Sequence, residues 1–149
     1  MNKCNLIILT FVITGIWDII LQIMSYNYNN LPNILKTQLP FIKDLQPYFK
    51  HHTPLAAFLL AAITGAVSQF IIINIMPFPK NFNLNKIIKL LIISFIVSSL
   101  FGFIMQWSKL FPYLQKYYYD KLGVIRGMYH DGISGLIVQI TLLFILYFM

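Results

Sequence analysis

PLAAFLLAAITGAVSQFIIINIM, residues 54–76, decides the fold. It contains no charged residue, and a helix needs about 20 apolar residues to cross the hydrocarbon of a bilayer. Pro54 suits the first turn of a helix, where its missing N–H costs nothing, and Thr53 suits the cap before it. Ala57, Ala61, Ala62, Gly65 and Ser68 make this one of the smallest-residue stretches in the chain. In lipid, small residues let helix backbones approach closely, so this helix is expected at the centre of a bundle.

Three further spans follow from the same criterion, at about 5–24, 87–107 and 130–149. Pro77 and Pro79 stop the central helix, and the chain turns through Lys80 to Lys86. The expected fold class is therefore all-α, a four-helix transmembrane bundle in a single integral membrane domain. A secretory signal at the N-terminus would need small residues at a cleavage site after the apolar run. Trp17, Asp18 and Ile19 stand there instead, so the first helix is expected to be retained.

The composition agrees. Of the 149 residues, 58% are hydrophobic and 10% charged, where a soluble domain carries roughly 25% charged residues. The net charge is +7, but the lysines stand singly between apolar segments rather than in a phosphate-tracking stripe, so no nucleic-acid partner is expected. Anionic headgroups are the natural counterpart of such lysines. One cysteine, Cys4, rules out an intrachain disulfide and a cysteine metal cluster.

The loops differ in length. Residues 25–53 form the longest, broken by Pro32, Pro40 and Pro47. Within it Phe41 to Lys50 mixes aromatic and basic residues, as in a segment lying in the headgroup zone. The third loop carries Phe111, Tyr113 and the run Tyr117, Tyr118 and Tyr119, a membrane-boundary composition. Lys and Arg outnumber those of the other side on loops one and three, which places both termini outside the cytoplasm by the positive-inside rule.

A repeat is suggested by spacing. DIILQ (18–22), GAVSQF (65–70), GFIMQ (102–106) and GLIVQI (135–140) each place a small or acidic residue four positions before a Gln. That spacing puts both on one helical face. Pairing span one with three and span two with four would give two tandem hairpins of parallel topology, an arrangement that builds transport sites in some folds. Short apolar helices also share vocabulary by chance, and packing must decide.

The expensive residues come next. Asp18 is the ionisable residue set deepest in a span, where an acid costs roughly 2.5–3.5 kcal/mol. Gln22 lies one turn on. His51, His52, Gln106, Arg126, His130 and Asp131 belong to the same end of the bundle. These residues could converge on one polar vestibule, with Arg126–Asp131 or Asp18–His130 as pairings. Gln69 and Gln139 lie deeper and are expected to hydrogen-bond between helices. None of the known metal-ligand spacings occurs, so no metal and no cofactor is expected. No nucleophile elbow, zinc-protease motif, Walker loop or CxxC is present.

The segments YFKHHTPLAAFLLAAITGAVSQ (48–69) and LFPYLQKYYYDKLG (110–123) resemble uncharacterised small multi-pass membrane proteins of nucleocytoplasmic large DNA viruses. The resemblance implies a virion or host-compartment membrane and implies no activity. Two functions remain in view. The first is a non-enzymatic structural or interaction component, working through helix packing and through basic aromatic loops that meet lipid or other membrane or virion proteins. The second is a small transporter or channel using Asp18 and the vestibule. One four-helix unit is small for transport, so that reading expects a homo-oligomer. A membrane enzyme acting on lipid through His130 and Asp131 is the third and least supported.

Overall fold

The computed structural model describes residues 2–39, 41–79, 81–109, 112, 116 and 120–148. The tyrosine run 117–119 and residues Phe111 and Tyr113 fall outside them. Eight α-helices are described: α1 (Lys3–Tyr26), α2 (Asn33–Gln38), α3 (Phe41–Asp44), α4 (Gln46–Phe49), α5 (Pro54–Ile75), α6 (Leu84–Ser108), α7 (Asp120–Leu122) and α8 (Val124–Phe148), with a 3-10 turn at Tyr28–Asn30. Four of them, α1, α5, α6 and α8, are long and apolar enough to cross a membrane. The protein is an all-α four-helix bundle of multi-pass membrane type.

Local chemistry explains the helix starts. Asn2, Thr53 and Asn83 each accept a hydrogen bond from a backbone N–H in the first turn of α1, α5 and α6, satisfying donors that a helix cannot satisfy itself. Pro54 occupies the first turn of α5 as its fixed φ allows. The fourth long helix begins at Val124, earlier than the expected position near 130. The polar sequence Arg126 to Asp131 therefore lies within the helix rather than at its mouth.

The long helices pack chiefly as two antiparallel hairpins, α1 with α5 and α6 with α8. Lys3 donates to Asn74 at one end of the first hairpin, and Gln22 reaches the carbonyls of Phe49 and His52 at the other. The bundle is apolar outside and buries polar side chains among the apolar ones within. Ile8, Val12, Ile16 and Ile20 form an exposed stripe on α1, and Leu55, Leu59, Ile63 and Val67 do the same on α5. Thr10, Ser68, Ser94 and Ser98 are buried. Water would reverse that arrangement, whereas lipid favours it.

Packing now decides the repeat. A shift of 70 residues carries Gly65 onto Gly135 and Gln69 onto Gln139. The same shift carries every buried residue of α5 onto a buried residue of α8: Ala57 onto Gly127, Ala62 onto Gly132, Ser68 onto Val138, Gln69 onto Gln139, and Ile72 and Ile73 onto Leu142 and Leu143. A shift of 84 carries Leu6, Thr10 and Gly15 of α1 onto Leu90, Ser94 and Ser99 of α6, all buried. Contacts repeat too. Thr14 sits against Gly65, and its counterpart Ser98 sits against Gly135. The match covers every buried residue of α5 but three of the six of α1, since Leu21, Gln22 and Ser25 fall on positions at the end of α6 that are not buried, so the hairpins share a pattern that lapses toward the plug end.

Loop one does not spread its apolar side chains on a surface as expected of a headgroup segment. Phe41, Ile42, Leu45, Tyr48 and Phe49 are buried and pack with Leu21, Ala57 and Leu122. The short helices α3 and α4 thus form a plug over one end of the bundle. At the other end Ile72, Leu90, Val97 and Leu143 form a separate apolar cluster.

Candidate functional site

Between the plug and the far cluster lies a cavity of about 150 Å³. Its lining follows the repeat. Thr14 and Ser98 face it, as do Thr64 and Ser134, Gly65 and Gly135, and Gln69 and Gln139. Each is a pair of equivalent positions, so the cavity lies on the seam where the hairpins meet. Trp17 and its counterpart Phe101 add aromatic walls, and Phe41, Tyr48 and Phe49 supply the plug side.

The helical rise orders these groups in layers. Asp131 packs against Gly102, the counterpart of Asp18, which puts both carboxylates at one depth beneath the plug. They are close enough for their charges to interact. The hydroxyl layer of Thr14, Thr64, Ser98 and Ser134 follows one turn deeper, and Gln69 and Gln139 lie a further turn on, each turn about 5.4 Å. The repeat departs from symmetry at the charged layer. Asp18 stands opposite a glycine in the pattern, and His130 and Asp131 take the places of Leu60 and Ala61.

Several lining groups have unmet hydrogen-bonding capacity. Trp17 Nε1, Asp18 Oδ2, His130 Nδ1, Gln69 Nε2 and Gln139 Nε2 are buried without a hydrogen-bond partner among the described residues. A buried polar atom left in this way costs about 1–3 kcal/mol. A cavity this size holds about five waters at their liquid volume, and its walls offer the polar partners that water needs. These groups offer hydrogen bonds to water or to a polar molecule in the seam.

The expected vestibule is therefore only partly assembled. Asp18, His130 and Asp131 meet at the cavity. Gln69 and Gln139, expected to glue helices, face the cavity with free amide N–H groups. Gln22 is buried but serves the plug, donating to the carbonyls of Phe49 and His52. His52 is buried beside it, its Nδ1 2.9 Å from the Tyr48 carbonyl, and burial holds its ring below the usual pKa of 6.5. His51 is exposed. Arg126 does not take the partner expected of it. Its guanidinium lies 3.1 Å from Asp44 on the plug, not on Asp131. Gln106 buries its Oε1 away from the cavity lining. Among the described residues no group of three or more His, Cys, Asp or Glu is placed to hold a metal ion.

Sequence reasoning missed Trp17 and the hydroxyl layer. The signal was present as a stripe of Thr10, Thr14, Asp18 and Gln22 at four-residue spacing, one face of α1. Comparison with family models, curated proteins and solved structures finds no match.

Proposed function

We propose that the protein is a small membrane transporter or channel whose solute crosses at the seam between the two hairpins. One observation carries this reading: a cavity with two carboxylates in its lining, at mid-bundle between two like hairpins. Sites of this kind, near the bilayer midplane at a repeat interface, are where transporters bind. A purely structural component has no need of such a seam, since small and apolar side chains pack helices in lipid without the cost of buried acids. Apolar clusters stand at both ends of the bundle, and passage requires the plug or the far cluster to move. The viral resemblance would put the membrane in a virion or a host assembly compartment.

The test is reconstitution into liposomes, with proton, cation and small-solute fluxes measured for the wild type beside Asp18→Asn. The substitution removes the charge and keeps the volume. The transport reading expects flux in the wild type and a loss of about tenfold or more in the variant, as for an interaction worth over 1.4 kcal/mol. Absence of any flux from correctly inserted wild-type protein would return the structural reading to first place.

A further inference from the structure

We infer that the deeper half of the cavity is a binding site for a small neutral amide, a molecule of the acetamide or urea type. The inference deepens the transport reading and rests on the same cavity. Below the carboxylate layer the lining changes character. Hydroxyls and the two glutamines supply its polar groups, and no charged residue among the described ones lines it. An ion there would find no opposite charge in its own layer, which is costly away from water. A neutral ligand has no such cost.

The glutamines supply donors. Gln69 and Gln139 are each 1% exposed, and each has an Nε2 without a hydrogen-bond partner among the described residues. They are equivalent positions of the two hairpins, so the unmet N–H groups come from both sides of the seam. An amide nitrogen donates and does not accept. The ligand that satisfies both glutamines therefore carries an oxygen acceptor.

The threonines supply the opposite function. Thr10, Thr14 and Thr64 line the cavity and donate their hydroxyl protons to the carbonyls of Leu6, Thr10 and Ala61 in their own helices. A hydroxyl has one proton and two lone-pair sites, so these oxygens offer the cavity only acceptance. Donors and acceptors thus meet within about one helical turn. The matching ligand carries an acceptor and donors on one small frame. A primary amide does so: its carbonyl oxygen takes the glutamine N–H groups and its own N–H groups reach the threonine oxygens. A ketone or a carboxylate lacks the donors, and a guanidinium lacks the acceptor. The volume of about 150 Å³ is that of a cavity admitting a ligand of about six heavy atoms, which leaves room for an amide of four.

Trp17 lines the same cavity and supplies the readout. The chain has two tryptophans, and the other, Trp107, is 77% exposed. In full-length protein carrying Trp107→Phe, emission from Trp17 is followed while acetamide, acetone, sodium acetate and guanidinium chloride are titrated below denaturing concentrations. All four probes are planar with four heavy atoms, and they differ in donors, acceptors and charge. We expect a saturable change with acetamide, at least about tenfold weaker for the other three. The same loss is expected in Gln69→Leu and Gln139→Leu. Equal binding of acetone, acetate or guanidinium, undiminished binding in both folded glutamine variants, or no saturable change with acetamide in folded protein would each overturn the inference. The comparison of probes on the unsubstituted glutamines decides even if a variant does not fold. Acetamide binding without flux of any solute would overturn the transport reading and keep the site; flux of protons or inorganic cations without acetamide binding would do the reverse.

Discussion

At the scale of single residues, the seam depends on side chains that are absent as much as on those present. Gly102 leaves room for the Asp131 carboxylate, and a Cβ there would collide with it. In an ordinary helix interior, Gly→Ala gains up to about 1 kcal/mol. At Gly102 the overpacking cost of about 1–3 kcal/mol should win, so Gly102→Ala is expected to lower the melting temperature in detergent, and a rise would contradict the close approach. Asp18 was legible in the sequence because an acid in an apolar helix is expensive and therefore visible. Thr10 and Thr14 were not. Their hydroxyls donate to the carbonyls of Leu6 and Thr10 in their own helix, which makes threonine inexpensive in lipid and gives no alarm in a sequence. His130 and Asp131 were legible as polar residues but misplaced, because the apolar run hides a helix start at Val124.

At the scale of elements, the plug is the part that the sequence described least well. Phe41, Leu45, Tyr48 and Phe49 have a helical spacing that suits either a headgroup surface or the end of a bundle, and the pattern alone does not say which. The structure shows what fixes the choice. Gln22 and Tyr26 donate to the Phe49 carbonyl, Gln46 donates to the Ser25 carbonyl, and Arg126 pairs with Asp44. The exposed ion pair contributes at most about 1 kcal/mol; the buried amide of Gln22 matters more. Gln22→Leu takes the side-chain donor from the His52 carbonyl and leaves Tyr26 alone to serve that of Phe49, and the plug is expected to become more open to proteolysis near Lys50 while the long helices persist by circular dichroism. Unchanged proteolysis would mean that apolar packing alone seats the plug. His52 adds a dependence on pH. Burial lowers its pKa below 6.5, so the unfolded chain takes up a proton more readily than the folded one. Its contribution to stability is full above about pH 6.5 and is lost as the pH falls through the lowered value. Thermal melts are expected to show this acid-side loss, and His52→Gln to reduce it; an identical acid profile in the variant would rule His52 out as its source.

At the scale of the whole molecule, two like hairpins meet at a seam that carries two carboxylates, and the charged layer is where the pattern breaks. The four spans and the fold class were legible because lipid demands long apolar helices with internally satisfied backbones. The repeat was visible as Gly and Gln at matched spacing, but only burial and contact could separate it from coincidence. The cavity was not legible, since volume arises from how four helices meet and no single helix records it. The central claim is that this cavity is the path across the membrane, and neighbouring residues test it most directly. In a Cys4→Ser background, Thr64→Cys faces the cavity, whereas Ile63→Cys, at a position 54% exposed, faces lipid. Each reconstituted variant is treated with a small water-soluble thiol reagent while flux is recorded. The path through the seam predicts modification at 64 with loss of flux, and no loss at 63. Flux that continues after full modification at 64, or that falls equally at both positions, would contradict it.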